Sequence, residues 1–217
     1  QRQMCIRDRL KEWYVRQTHI QERMKELSNE INFIPSRNKQ FLLDWMENIT
    51  IELADELNQN IKIAKLYCQQ EKNFIKKNFQ LSKIFPLNPA PMLNDQLIEE
   101  MTNIVALAGA EQIQECINTG AEIILAGRTS DTAIISALPL MKGANPGSSW
   151  HGAKVVECGA LCSTNPTSGV VMVEFDKTGF TVEPMSKNAF CTSETVAAHM
   201  LYENADPYIL HEPGGYM

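Results

Sequence analysis

Residues Glu122 to Leu140 read EIILAGRTSDTAIISALPL, and their order decides the fold. A short apolar run, Ile123 to Ala126, stops at Gly127-Arg128. Such a run between helical segments suits a central strand of a parallel sheet, covered on both faces. Thr129, Ser130 or Asp131 can cap a helix that follows at once and runs to Leu138, where Pro139 disturbs its end. A strand whose carboxyl end opens into a helix N-terminus is where open α/β sheets bind ligands. Gly127 lets backbone approach a ligand closely. Arg128 can grip a carboxylate or phosphate through parallel hydrogen bonds, and the helix N–H groups attract anions. Arg128, Thr129, Ser130 and Asp131 are therefore candidate substrate-binding residues. The competing reading is an ordinary capped helix with Arg128 in a structural ion pair.

Downstream, Lys142 to Ser149 (KGANPGSS) is expected as a loop, and Trp150 to Cys162 as a helix. On that helix His151, Cys158 and Cys162 share a face, with Lys154 close to it and Glu157 to the side. His151 and Glu157 are candidates for proton transfer, and Lys154 for a second anion contact. Their alternative is an exposed polar face. Cys158 and Cys162 sit one turn apart, but the chain offers no second ligand pair at metal spacing. We expect no metal and no cofactor, and read both thiols as small buried hydrophobes. Val170 to Phe175 and Phe180 to Glu183 flank Asp176-Lys177-Thr178-Gly179, a hairpin signal. Ser193 is expected to cap a last helix to about Tyr202, with His199 a packed or half-exposed residue of it rather than a base. His211 precedes a Pro-Gly-Gly turn, a weak anion-binding signal.

Upstream, Leu10 to Ile31 has the spacing of an amphipathic helix. Pro35 breaks it, and Ser36 can cap a second helix to Leu57 with Phe41, Leu42, Trp45, Ile49 and Leu53 on one face. Ile61 to Tyr67 alternates as a strand does, and Gln70 to Asn78 is a short basic helix. Pro86, Pro89 and Pro91 make an extended linker. Asn94 caps a helix carrying Leu97, Ile98, Met101, Ile104 and Val105 inward until Gly109. Another runs from Glu111 to Asn118, stopped near Gly120. Strands alternate with helices until the hairpin. The expected class is α/β: a small, mostly parallel sheet covered by helices, with an added antiparallel hairpin, as a fragment of a larger protein.

The 217 residues are 44% hydrophobic and 21% charged, an ordinary globular composition. A net charge of -6 with no clustered basic face argues against nucleic acid as a partner. The apolar runs are short and interrupted, so no membrane association is expected. The 6 cysteines fall at no framework spacing and no secretory segment precedes them, which points to reduced thiols in the cytoplasm. Residues 1–9 (QRQMCIRDR) resemble translated sequencing-adapter read-through and are set aside as non-native. Residues 10–217 are expected to be a domain truncated at both ends.

Six stretches give the chain a family likeness: AGRTSDTA (Ala126 to Ala133), LPLMKG (Leu138 to Gly143), PGSSWHGAKVVECGA (Pro146 to Ala160), FTVEP (Phe180 to Pro184), CTSETVAAHMLYENADPY (Cys191 to Tyr208) and LHEPGG (Leu210 to Gly215). Together, in order and spacing, they resemble the acyclic terpene utilisation (AtuA) family. The likeness implies an α/β family domain in a longer protein and a role in catabolism of branched isoprenoid or acyl-CoA-type substrates. It brings no settled mechanism. Family members also begin with a Gly-rich strand–turn segment, and Leu10 to Asn60 departs from that pattern. The function expected from residues and likeness together is a catabolic enzyme or enzyme subunit. Its substrate is a carboxylated or CoA-linked small molecule, held near Arg128. A non-catalytic subunit that binds a ligand or a partner is the alternative. The expected partners are the small carboxylate or acyl-CoA, and a second copy or a partner subunit.

Overall fold

The computed structural model describes residues 39–86, 92–167, 169–202, 206, 208–209, 211–212 and 215–216. The expected helix over Leu10 to Ile31, the Ser36 cap and most of the proline linker lie outside them.

Most of the predicted second helix is α1, Lys39–Glu56. Its inward stripe differs from the expected one. Leu43 and Ala54 are buried while Leu42 is exposed. The reason lies on the next element, β1 (Ile63–Leu66). Lys65 reaches back to Asp44 at 2.9 Å and Glu47 at 2.5 Å, which fixes that side of α1 toward the strand. Helix α2 (Lys72–Gln80) and the short α3 (Asp95–Glu100) follow. Asn94 caps α3 as expected, its side chain accepting from the Leu97 amide at 2.7 Å.

The helix predicted through Val105 stops at Glu100, and Met101 is already extended. The backbone beyond it is taken by two strand ends instead. Gln70 donates to the Ile104 carbonyl and Ala106 to the Cys68 carbonyl, each at 2.8 Å. Ala108 donates to Arg128 at 2.9 Å, and Ser130 returns a bond to Ala108 at 3.0 Å. Tertiary pairing has overridden a helical apolar spacing.

Helix α4 (Ala110–Asn118) ends before Gly120, whose φ of 76° supplies the left-handed turn. Strand β2 (Ile123–Ala126) pairs in parallel with β1, Ile63 opposite Ile123 and Leu66 opposite Ala126. Among the described residues the sheet has two strands, so β2 is not the central strand expected. Only Leu125 of the run is buried. Helix α5 (Asp131–Met141) passes through Pro139, which costs little so near the end. The expected loop after it shrinks, because Asn145 caps α6 (Pro146–Val156) with Pro146 at its first position.

Helix α6 ends at Val156, short of the expected Cys162, and a separate 3-10 turn covers Gly159–Cys162. Gly159 stands at φ 63° between them. His151 and Cys162 therefore do not share a helix face. Strands β3 (Val171–Phe175) and β4 (Phe180–Pro184) form the predicted hairpin, Phe175 opposite Phe180. Asp176 ties its turn by accepting from the Thr178 and Gly179 amides. Thr192, not Ser193, caps α7 (Ser193–Met200). Short strands β5 (His211–Glu212) and β6 (Gly215–Tyr216) pair antiparallel.

The architecture is thus mixed α/β: a parallel pair, an antiparallel hairpin and covering helices. One core cluster joins α4 to α5 through Ala110, Ile113, Ala133 and Ala137, with Trp150 and Ile124 against it. The other surrounds Val155, Val156 and Cys162, beneath Val173 and Val182 of the hairpin. No helix among the described residues is long and apolar enough to cross a membrane.

Candidate functional site

The carboxyl ends of β1 and β2 lie side by side, and the 104–108 segment crosses both. Gly127 is needed here by its neighbour strand. A Cβ on it would stand 3.1 Å from the Cys68 Cβ and 3.2 Å from its sulfur. The close approach expected for a ligand is already occupied by Cys68, so the glycine is explained by packing.

Arg128 comes next and is exposed. Among the described residues no hydrogen bond or ion pair engages its guanidinium. Thr129 is buried and bridges Ala108. Ser130 occupies the capping position of α5 but makes no capping bond; its hydroxyl lies 2.8 Å from that of Thr132. Asp131 is exposed in the first turn of α5. Carboxylates there favour the helix dipole, but this one also places a negative charge three residues from Arg128.

The second group of candidates lies on α6. Lys154 and Glu157 form an ion pair one turn apart, their side chains 11% and 8% exposed. Dehydrated charges at such a position are costly, so the pair is weak evidence of stabilisation by itself. His151 projects elsewhere, its ring edge-on to Phe180 with centroids 5.2 Å apart. His151 is exposed overall, but partial desolvation of its ring against the hairpin lowers its pKa, favouring the neutral imidazole. Six residues separate His151 from Glu157, which on a helix is roughly 9 Å of rise and about 240° of turn. They do not face one another. Among the described residues no bond joins Arg128 or Asp131 to His151, Lys154 or Glu157. Helix α5 does pack on α6, with Ile135 against the core cluster of Val155, Val156 and Cys162.

Two further features complete the picture. His199 of α7 is 5% exposed, stacks on Tyr202 and leaves its Nε2 without a hydrogen-bond partner. Burial lowers its pKa, partly opposed by a hydrogen bond to the Lys154 backbone and by the Glu157 charge. It thus belongs with the Lys154–Glu157 pair, which no spacing between α6 and α7 could have revealed. Close by, the sulfurs of Cys162 and Cys191 lie 3.9 Å apart. Burial pushes the Cys162 thiol up to about 11, as for an inert core cysteine.

The other feature is a polar cleft of about 360 Å³ where the chain leaves β1. Gln69, Glu71, Lys72, Asn73, Glu99 and Thr102 are among the residues that line it. Thr102 lay within a stretch whose periodicity looked helical, so its proximity to Gln69 was hidden.

Comparison with known proteins gives one match across most of the chain. A family model described as acyclic terpene utilisation family protein AtuA matches residues 45–216. That range contains every candidate residue above. A 43-residue stretch is 44% identical to valine–tRNA ligase of Nanoarchaeum equitans (strain Kin4-M), covering 20% of this chain. The chain spans only 6% of that protein's length, too little to carry an argument. No solved structure matches.

Proposed function

The chain belongs to the acyclic terpene utilisation family, which implies involvement in acyclic terpene utilisation, and from this premise we propose that it binds a branched, carboxylated or CoA-linked small molecule at the turn around Arg128. The observation that carries the reading is the exposed Arg128 guanidinium at the carboxyl end of a parallel strand, directly before α5. An arginine there joins a formal charge and a planar donor fork to the positive end of a helix dipole. Thr129 is buried and serves the backbone; Ser130 and Asp131 stand at the rim. In the enzymatic form of this proposal His151 moves the proton, since its lowered pKa leaves it neutral and able to accept one. Glu157 is the second proton-transfer candidate, with Lys154 as its counter-charge and a further contact for the anion.

One observation favours the alternative, a non-catalytic ligand-binding or partner-binding subunit. Glu157 is already engaged by Lys154 and does not face His151, so no assembled acid–base pair stands beside Arg128. Isothermal calorimetry with isovalerate and with isovaleryl-CoA tests the common part of both readings. Saturable binding of at least one is expected, weakening as salt rises. No saturable binding of either would overturn the proposal. Turnover of the bound ligand then separates an enzyme from a binding subunit.

A further inference from the structure

The crossing segment does more than tie two strand ends together. Gln69 bridges Val105 in antiparallel register, and Ala108 bridges Thr129 in parallel register. Residues paired this way point to the same side, and successive residues of extended chain alternate sides. Ala108 and Thr129 are both buried, so their side is the inner one. Their neighbours Leu107 and Arg128 lie at the surface beside this bridge, and Val105 shares a side with its partner Gln69. Gln69, Leu107 and Arg128 are all exposed, Leu107 at 59%, as is Ala106, while Val105 is half-buried. Val105 to Ala108 spans roughly 10 Å of extended chain.

This strip has a cation at one end, an apolar middle, and at the other end the polar cleft that Gln69 lines. No described residue hydrogen-bonds the side chains of Gln69, Asn73 or Thr102. The charge in the cleft is specific. Glu99 is paired with Lys76, Lys72 donates to the Glu99 carbonyl, and Glu71 makes no capping bond. A second carboxylate entering beside Glu71 meets repulsion, whereas a hydroxyl can both donate and accept among the amides.

We infer that the carboxyl edge of the parallel pair is a two-ended binding strip for a chain-like carboxylate. The carboxylate sits at Arg128, the hydrocarbon lies over Leu107, and a neutral hydroxyl or amide at the far end occupies the Gln69–Asn73–Thr102 cleft. This rests on the Arg128 reading and adds the far-end chemistry and a length of roughly 10–15 Å to it.

Calorimetry on the full chain with decanoate, ω-hydroxydecanoate and decanedioate tests it, because linear chains of equal length isolate the end group. The hydroxy acid should bind about fivefold tighter than decanoate, the worth of one neutral hydrogen bond. The diacid should gain nothing. Thr102→Val with Asn73→Ala should abolish the hydroxyl preference and leave decanoate binding unchanged. Arg128→Ala should weaken all three. If decanoate binding depends on Arg128 but the hydroxyl gives no gain, or the gain survives the cleft variant, the two-ended strip is wrong and the anion site stands. If decanoate binding ignores Arg128, or no probe binds, both fail.

Discussion

His199 is 5% exposed, and its ring is held neutral by burial more than it is drawn toward protonation by Glu157. Its pKa in the folded chain lies below the ordinary 6.5, so the unfolded chain binds its proton more readily. The sign follows from that difference. The stability this residue contributes is present above about pH 6.5 and is lost as pH falls through the lower folded value. His151 shifts in the same direction and adds to the slope. We therefore expect the melting temperature to fall between about pH 7 and pH 5, before carboxylates protonate in quantity. His199→Phe should flatten part of that decline. A melting temperature independent of pH over that window, or an identical slope in the variant, would contradict the assignment. The sequence offered His199 only as one residue of a helix. What makes it titrate unusually is its burial, partly opposed by a hydrogen bond to the Lys154 backbone and by the charge of Glu157, 42 residues back, and spacing encodes none of these.

Between elements, the tightest fit is α6 on the hairpin. Gly152 is buried there, and a Cβ on it would lie 2.6 Å from Phe175 Cε1 and 2.9 Å from Phe180 Cγ. Both rings come from the same turn of the hairpin, so they cannot yield independently. Gly152→Ala should gain helix propensity yet lose more through overpacking, a net cost of about 1–3 kcal/mol. Urea unfolding would read this as a lower midpoint, whereas an unchanged or higher midpoint would show the rings have room to turn. Local chemistry made several of these elements legible. Asn94 before its helix, Gly120 after another, the Asp176–Gly179 turn and the apolar run of β2 each name their own structure. The failures share one cause. Ile104 and Val105 carried helical spacing, but Gln70 claimed the Ile104 carbonyl, and the Cys68 and Arg128 carbonyls claimed the amides of Ala106 and Ala108. Likewise Cys158 to Cys162 continued the α6 pattern until Gly159 turned the chain.

For the molecule as a whole, α/β order and hairpin follow from the alternation of strand and helix signals. The sheet is smaller than a fully apolar β2 led one to expect. At the site, the Arg128 turn was visible in the sequence because strand end, glycine, arginine and cap residues are contiguous. The cleft was not, because Gln69, Asn73 and Thr102 meet only once the 104–108 segment crosses the strand ends. The helix-face grouping of His151 with the cysteines dissolved for the opposite reason, a regular spacing interrupted by one glycine. The central proposal is an anion held by Arg128. Affinity and melting temperature measured on Arg128→Ala and Arg128→Lys, with decanoate as ligand, test it most directly. Charge-assisted hydrogen bonds of about 1.5–3 kcal/mol predict at least roughly tenfold weaker binding in the alanine variant. Lysine should restore part of it, having the charge but not the fork, and the melting temperature should hold. A destabilised alanine variant whose folded fraction binds decanoate as tightly as the parent would contradict the account.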